Sequence, residues 1–264
     1  MTEDAPLAGR RILVTRPAHQ AAAYADSLRA LGAEPCLLPA LAILPGGDTA
    51  TLTALAAALA TFDLIICISP NAAGIGLNTL AALAPAGQPH PPLSGLRFAA
   101  IGKGTAQALA ARGLSVALRP DAGADSEHLL ALPAFQHVAG QRILIVRGEG
   151  GRETLADTLR QRGADVRYAE AYRRAMPTQP DSASTRAALH AGQIDAITVF
   201  SSETLDNLLQ LLAETAPSAR ALPLFVPHPR IAAHATQQGF TQVITSTTDD
   251  SGMTHALMKY FAHV

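Results

Sequence analysis

The chain contains no tryptophan, and aromatic residues make up only 4% of it. A core poor in rings has to be filled by aliphatic side chains, and 48% hydrophobic residues, much of that alanine, point to helices packed on sheet. Cysteine is equally scarce. Cys36 and Cys67 both sit in apolar stretches without metal-ligand spacing, which excludes a disulfide framework and reads as buried, inert thiols in a reducing compartment. Neither sign of charge is in excess, with 20 Lys and Arg against 21 Asp and Glu. The chain therefore has no overall basic field to draw it onto nucleic acid or an acidic membrane. Long apolar runs are missing too: the longest, around LTALAAALA, is too short to cross a bilayer, and the start, MTEDAPLAGRR, is acidic with no apolar signal region. These absences predict a cytoplasmic protein, and 264 residues suit two compact domains.

What is present is a repeat. RILVTRP from Arg11 to Pro17 is answered by RILIVRG from Arg142 to Gly148, an offset of 131. The register holds onward, with Leu28, Arg29, Gly32, Ala33 and Glu34 answered by Leu159, Arg160, Gly163, Ala164 and Asp165. DLIICIS from Asp63 is then matched by DAITVFS from Asp195, FAAIG ending at Gly102 by LFVPH ending at His228, and Gly113 by Gly239. In each half, short β-branched runs alternate with alanine-leucine segments, the pattern of strands and crossover helices in a parallel sheet. Five strands per half predict two five-stranded sheets. After the first helix of each half runs a long extended stretch, residues 33–44 and 164–175, where Pro35, Pro39 and Pro45 suit an edge or linker. These stretches read as linker strands forming a hinge, with a ligand cleft between the copies.

In an open parallel sheet, ligands bind beyond the carboxyl ends of the strands, where helix N-termini present unpaired N–H groups. The loops there hold Thr15, Arg16 and Pro17; Ser69, Pro70 and Asn71; Gly102, Lys103, Gly104 and Thr105; the run from Arg147 and Gly148 to Arg152 and Glu153; Ser201 and Ser202; and Pro227, His228, Pro229 and Arg230. Ser126 marks a further helix start. For any one loop, helix capping and tight turns are explanation enough. Taken together, many small and hydroxylated residues with few cations fit a multiply acidic ligand held by backbone donors. Arg147 and Arg152 stand out among the arginines of this region, because their loop position suits carboxylate recognition. Arg16, the repeat counterpart of Arg147, serves either a ligand or its own loop. His228 and Arg230 read equally as caps, His19, His90, His128 and His137 as surface or capping residues, and Tyr172 as a packing residue whose hydroxyl is satisfied locally. GKGT at Gly102 is no phosphate-binding loop of the Walker type, GEGG at Gly148 does not complete a dinucleotide fingerprint, and HExxH and GxSxG are absent. No cofactor and no metal are called for.

The ordered set ILVTRP, ISPNA, AIGKGTAQAL, LIVRGEGGRETL followed by YRR, FSSETLDNL and HPRIA resembles the uroporphyrinogen-III synthases over nearly the whole chain. The resemblance implies cofactor-free conversion of hydroxymethylbilane, a linear tetrapyrrole with acetate and propionate arms, to uroporphyrinogen III by dehydration, inversion of ring D and ring closure. It also implies an α/β fold of two similar flavodoxin-like domains with parallel five-stranded sheets and a two-stranded β linker. Residues 1–38 and 173–264 would form one domain and 41–171 the other. Tyr172 becomes the assisting acid at the departing hydroxyl, and the loop residues become substrate contacts. A monomer, with transient hand-over of substrate from hydroxymethylbilane synthase, is expected. The chain departs from the commoner pattern at HPRIA, where Ile231 replaces a threonine and puts side-chain contacts of that loop in doubt. The competing reading is a two-domain regulator that senses an acidic metabolite without transforming it.

Overall fold

The computed structural model describes residues 5–84, 93–178, 182–247 and 250–263; residues 1–4 and His90 lie outside the described residues. The described strands, in chain order, are β1 (Arg11–Val14), β2 (Glu34–Leu37), β3 (Ala42–Pro45), β4 (Leu64–Cys67), β5 (Phe98–Ala100), β6 (Val116–Leu118), β7 (Arg142–Gly148), β8 (Asp165–Ala175), β9 (Ala196–Thr198), β10 (Leu224–Val226) and β11 (Val243–Thr245). They belong to two compact units, one of residues Met1–Ala42 and Ala175–Val264, the other of Ile43–Arg174.

The first unit is built on a sheet of order β11-β10-β9-β1-β2, parallel throughout. The second carries the order β3-β8-β7-β4-β5-β6, with parallel pairing along β8-β7-β4-β5-β6. This corrects the expectation of five strands in each sheet. The stretch 164–175 contains an eleven-residue strand, β8, which pairs along the whole of β7. The stretch 33–44 divides around Pro39, with β2 in the first sheet and β3 beside β8 in the second. The sheets also mix the two sequence halves: β1 and β2 complete a sheet with β9 to β11, while β7 and β8 complete one with β4 to β6.

Local chemistry explains why equivalent strands nucleate equivalent sheets. Asp195, just before β9, accepts the Arg11 backbone N–H at 2.7 Å, and its counterpart Asp63, just before β4, accepts the Arg142 N–H at the same distance. Each carboxylate thereby satisfies the first donor of the neighbouring strand and sets its register. Period-two side-chain alternation then loads both sheet faces. Ile65, Cys67, Leu144 and Val146 enter one core of the second unit, and Leu64, Ile66, Ile143 and Ile145 the other. Leu13, Ile197 and Val226 are divided from Ile12, Val14 and Phe225 in the same way in the first unit. Strands buried on both faces read as continuous apolar runs, as parallel sheets require. Gly32 and Gly163 each follow the helix after the first strand of the repeat and adopt φ of +86° and +87°, a conformation that glycine takes without strain. Of the two cysteines, Cys67 is buried, but Cys36, on β2, is only half-buried, contrary to expectation.

Candidate active site

Because the strands run parallel, the loops that follow them emerge at one edge of each sheet. In the second unit that edge is organised around a bulge in β8. Arg147 pairs with Glu170, but Gly148 pairs with Tyr172, so Ala171 is an extra residue on the β8 side. Bulges re-aim side chains. Strict alternation would put Tyr172 on the same face as Tyr168 and Glu170; instead it joins Ala169, Ala171 and Val146 in the core on the other face. Its ring lies over Gly148, where a methyl group would sit 2.6 Å from Cε2 and 3.1 Å from both Cδ2 and Cζ. Gly148 is thus needed for the space it leaves. Tyr172 is 1% exposed, and its Oη lies 2.8 Å from Ser69 Oγ. Ser69, in the loop after β4, accepts the Ala72 N–H at 3.0 Å and so also caps the helical turn that follows. The hydroxyl of Tyr172 is satisfied locally, as the residue-level reading had it, but by a candidate site residue.

On the opposite face, Arg147 is buried, with its guanidinium 3.0 Å from Glu153, 3.2 Å from Glu170 and 4.2 Å above the Tyr168 ring. Tyr168 donates to the second Glu153 oxygen at 2.6 Å. This hydrogen bond, followed by the Arg147 contact, holds the Glu153 carboxyl below the usual glutamate range; burial and the Glu153 charge push the Tyr168 phenol up to about 12. Arg147 and Glu153, two residues expected to touch substrate, are in this structure partners of each other. Arg152 is exposed and paired with Glu127 at 3.1 Å.

The loop after β5 places Gly102 at the N-cap of the helix Lys103–Ala110, with Lys103 exposed and Thr105 buried beneath it. Asn71 is half-buried on the turn after Ser69. Ser126 is the first residue of its short helix, but the cap is Asp125, whose carboxylate accepts the His128 N–H at 2.9 Å and also meets the His128 ring. In the first unit, Ser201 caps the helix Ser202–Leu212 by accepting from Thr204, with Ser202 half-buried next to it. His228 caps the helix Pro229–Gln237 through Nδ1, which accepts the Arg230 N–H at 3.1 Å, and both residues are exposed. That bond needs the neutral ring with its proton on Nε2. Arg16 is paired with Asp250 and lies 3.7 Å from the Phe200 ring centroid, so it braces its own loop. Burial lowers its pKa, and Asp250 opposes the shift.

Comparison with known proteins gives this edge a family. The family model described as Uroporphyrinogen-III synthase HemD matches residues 22–255. The chain belongs to the uroporphyrinogen-III synthase family. It is 32% identical to a uroporphyrinogen-III synthase of Escherichia coli over 93% of this chain and 99% of that one. A Synechococcus elongatus uroporphyrinogen-III synthase is 37% identical over 80% of this chain and 77% of the relative. Two solved folds are similar: that of the Helicobacter pylori uroporphyrinogen-III synthetase, with a TM-score of 0.59 at 14% identity and 95% and 99% coverage, and that of a mutant Thermus thermophilus uroporphyrinogen III synthase, at 0.56, 18%, and 97% and 100%.

Within this chain, sequence reasoning overlooked Tyr168, Glu170, Phe200 and Asp250, which contact the two repeat-related arginines. The signal available was the alternation of Tyr168 and Glu170 along one face of an extended stretch. Ile231, the residue that departs from the family pattern, is 5% exposed and packs in the first unit's core. Among the described residues no helix is long and apolar enough to cross a membrane.

Proposed function

We propose that this protein converts hydroxymethylbilane to uroporphyrinogen III, with water as the second product. The observation that carries the reading is the family match along residues 22–255. The strand-end loops of each unit suit the substrate's chemistry. Helix N-termini capped by Ser69, Ser201 and His228, and glycine-lined backbone at Gly102 and Gly148, offer N–H donors to carboxylate arms. Lys103, Arg152 and Arg230, all exposed, add cationic contacts. Arg16, Asn71, Thr105, Ser126, Arg147, Glu153 and Ser202 complete the proposed set, with half-buried Arg16, buried Arg147 and Glu153 shaping loops from behind.

Holding a flexible octa-acid so that its ends meet is the main catalytic contribution. Loss of the hydroxyl leaves an azafulvenium cation. Attack by the substituted carbon of ring D gives a spiro intermediate that fragments and recloses with ring D inverted. A hydrogen bond originating at the Tyr172 hydroxyl assists the departure of hydroxide. No cofactor enters this scheme. We further read each unit as flavodoxin-like: taking β1, β2, β9, β10 and β11, or β7, β8, β4, β5 and β6, as strands one to five gives the order 2-1-3-4-5 in both. β3 and β8 then serve as the two-stranded connection. A cytoplasmic monomer that receives its substrate from hydroxymethylbilane synthase in a transient hand-over completes the reading. Leu37 is the one large hydrophobic residue exposed among those described, which supports a chain with no apolar patch to cover.

The test is incubation with freshly generated hydroxymethylbilane followed by separation of the isomers. Uroporphyrinogen III is the expected product; the symmetric isomer alone, formed by spontaneous closure, refutes the assignment.

A further inference from the structure

Tyr172 is sealed at 1% exposure while Ser69 is half-buried, so a substrate reaching this pair meets Ser69 first. Hydrogen-bond arithmetic adds a direction. A serine hydroxyl has one proton and two acceptor lone pairs, and a phenol has one proton. Ser69 Oγ already accepts the Ala72 N–H at 3.0 Å, and Tyr172 Oη is 2.8 Å away. If Ser69 donated to Tyr172, the phenol proton would be left without an acceptor in the more deeply buried position, the costlier place for an unmatched donor. With Tyr172 donating, both Ser69 lone pairs are filled, and the leftover proton belongs to the more exposed oxygen. Among the described residues, that proton has no acceptor. The β8 bulge and Gly148 fix the arrangement, since together they bring the ring onto the face where Ser69 lies.

We propose that Tyr172 acts through Ser69: Ser69 Oγ is the catalytic group that touches the departing hydroxyl, and Tyr172 is the positioning residue and proton source behind it. This rests on the functional reading above and refines its acid. As the carbon–oxygen bond breaks, its electron pair leaves with the oxygen, which takes the Ser69 proton and departs as water. Ser69 takes the Tyr172 proton in the same motion. The resulting phenolate regains a proton from the one released when the new carbon–carbon bond forms and the pyrrole rearomatises. The phenol makes the relay effective, because an aliphatic alcohol alone is a far weaker acid.

The experiment compares Ser69→Ala, Tyr172→Phe, the double variant and Ser69→Thr in the whole chain, with kcat and KM read from isomer III formation. Each single variant lowers kcat by about 10²-fold and leaves KM within about twofold. The double variant is no slower than the slower single, because both remove one unit. Ser69→Thr, which keeps the hydroxyl, recovers most of the rate. A wild-type kcat in either single variant overturns the relay, as does a double variant whose losses multiply. Failure of threonine to rescue overturns it as well, because threonine supplies the same hydroxyl and the same cap. Failure of the functional reading is a separate outcome: the unmodified protein then forms no isomer III at all.

Discussion

Replacing Gly148 with alanine probes the packing on which the candidate site depends. The added methyl would stand 2.6 Å from Tyr172 Cε2 and 3.1 Å from Cδ2 and Cζ, against ordinary contacts of 3.4–4 Å. The ring edge therefore has to retreat by about 0.8 Å, the overpacking regime of core substitutions. Retreat is restricted, because the Glu149 N–H donates to the Tyr172 carbonyl at 2.8 Å and fixes the backbone. A strain of about 1–3 kcal/mol follows, and the 2.8 Å contact to Ser69 opens. In guanidinium denaturation the variant should unfold at a lower midpoint with an unchanged slope, and isomer III formation should fall with it. The Tyr172→Phe background separates the two effects. Phenylalanine keeps the clashing ring carbons but lacks the hydroxyl, so Gly148→Ala should still cost stability there while costing no further activity. Gly150→Ala serves as a control, for no atom lies within 4 Å of its Cβ position and its strain arises only from a φ of +69°. A Gly148→Ala protein with unchanged midpoint and rate would refute the reasoning.

Arg147→Met strands the carboxylates of Glu153 and Glu170, but these are 48% and 39% exposed, so water replaces much of the lost pairing. The expected loss is about 1–2 kcal/mol, read by denaturation, rather than the ~3–5 kcal/mol of a fully buried pair. Tyr168→Phe removes the largest cause of the lowered Glu153 pKa, which should rise in a carboxyl carbon-13 titration. Since a depressed carboxylate stabilises the fold above its unfolded pKa, that contribution is present above about pH 4.5 in the unmodified protein and lost as pH falls through the lowered folded value. The Tyr168 phenol has the opposite sign: its contribution is complete below pH 10 and is lost as pH rises through about 12, with the phenolate absorbance appearing late. With a thiol-specific chromogenic reagent, the native protein should release one equivalent from half-buried Cys36, while Cys67, buried and pushed up to about 12, reacts only after unfolding; two rapid native equivalents would contradict that burial.

The repeat was legible because its physics is local. Asp63 and Asp195 precede equivalent apolar runs and end up as equivalent staples, and Gly32 and Gly163 end equivalent helices. Strand order is a long-range property, and periodicity is silent about it. RILV at Arg11 is as well patterned to pair with DLIIC in its own half as with DAITV in the other, and the structure pairs β1 with β9. The sixth strand escaped for a related reason. Pro39 and Pro45 correctly marked an edge, but an edge strand that closes a sheet and a linker strand that leaves one have the same composition.

At the site, sequence reasoning identified the strand-end loops but could not tell which charges were already taken. Arg16 and Arg147 occupy the same repeat position, and both lie beside an aromatic ring and are paired with carboxylates, Arg147 buried and Arg16 half-buried: Asp250 serves one, Glu153 and Glu170 the other. An arginine that serves such a pair is desolvated when the chain folds, and a substrate carboxylate would have to displace a tethered one to reach it. Two internal copies arrived at this bracing with different partners, which argues that the position demands a guanidinium to hold its loop whatever the ligand. Recognition of the acid arms then falls to backbone donors and exposed cations such as Lys103 and Arg230, and Lys103→Ala should raise KM for the tetrapyrrole without changing kcat. A Lys103→Ala enzyme with wild-type KM, set against an Arg16→Lys enzyme whose KM rises with its stability intact, would reverse that division of labour.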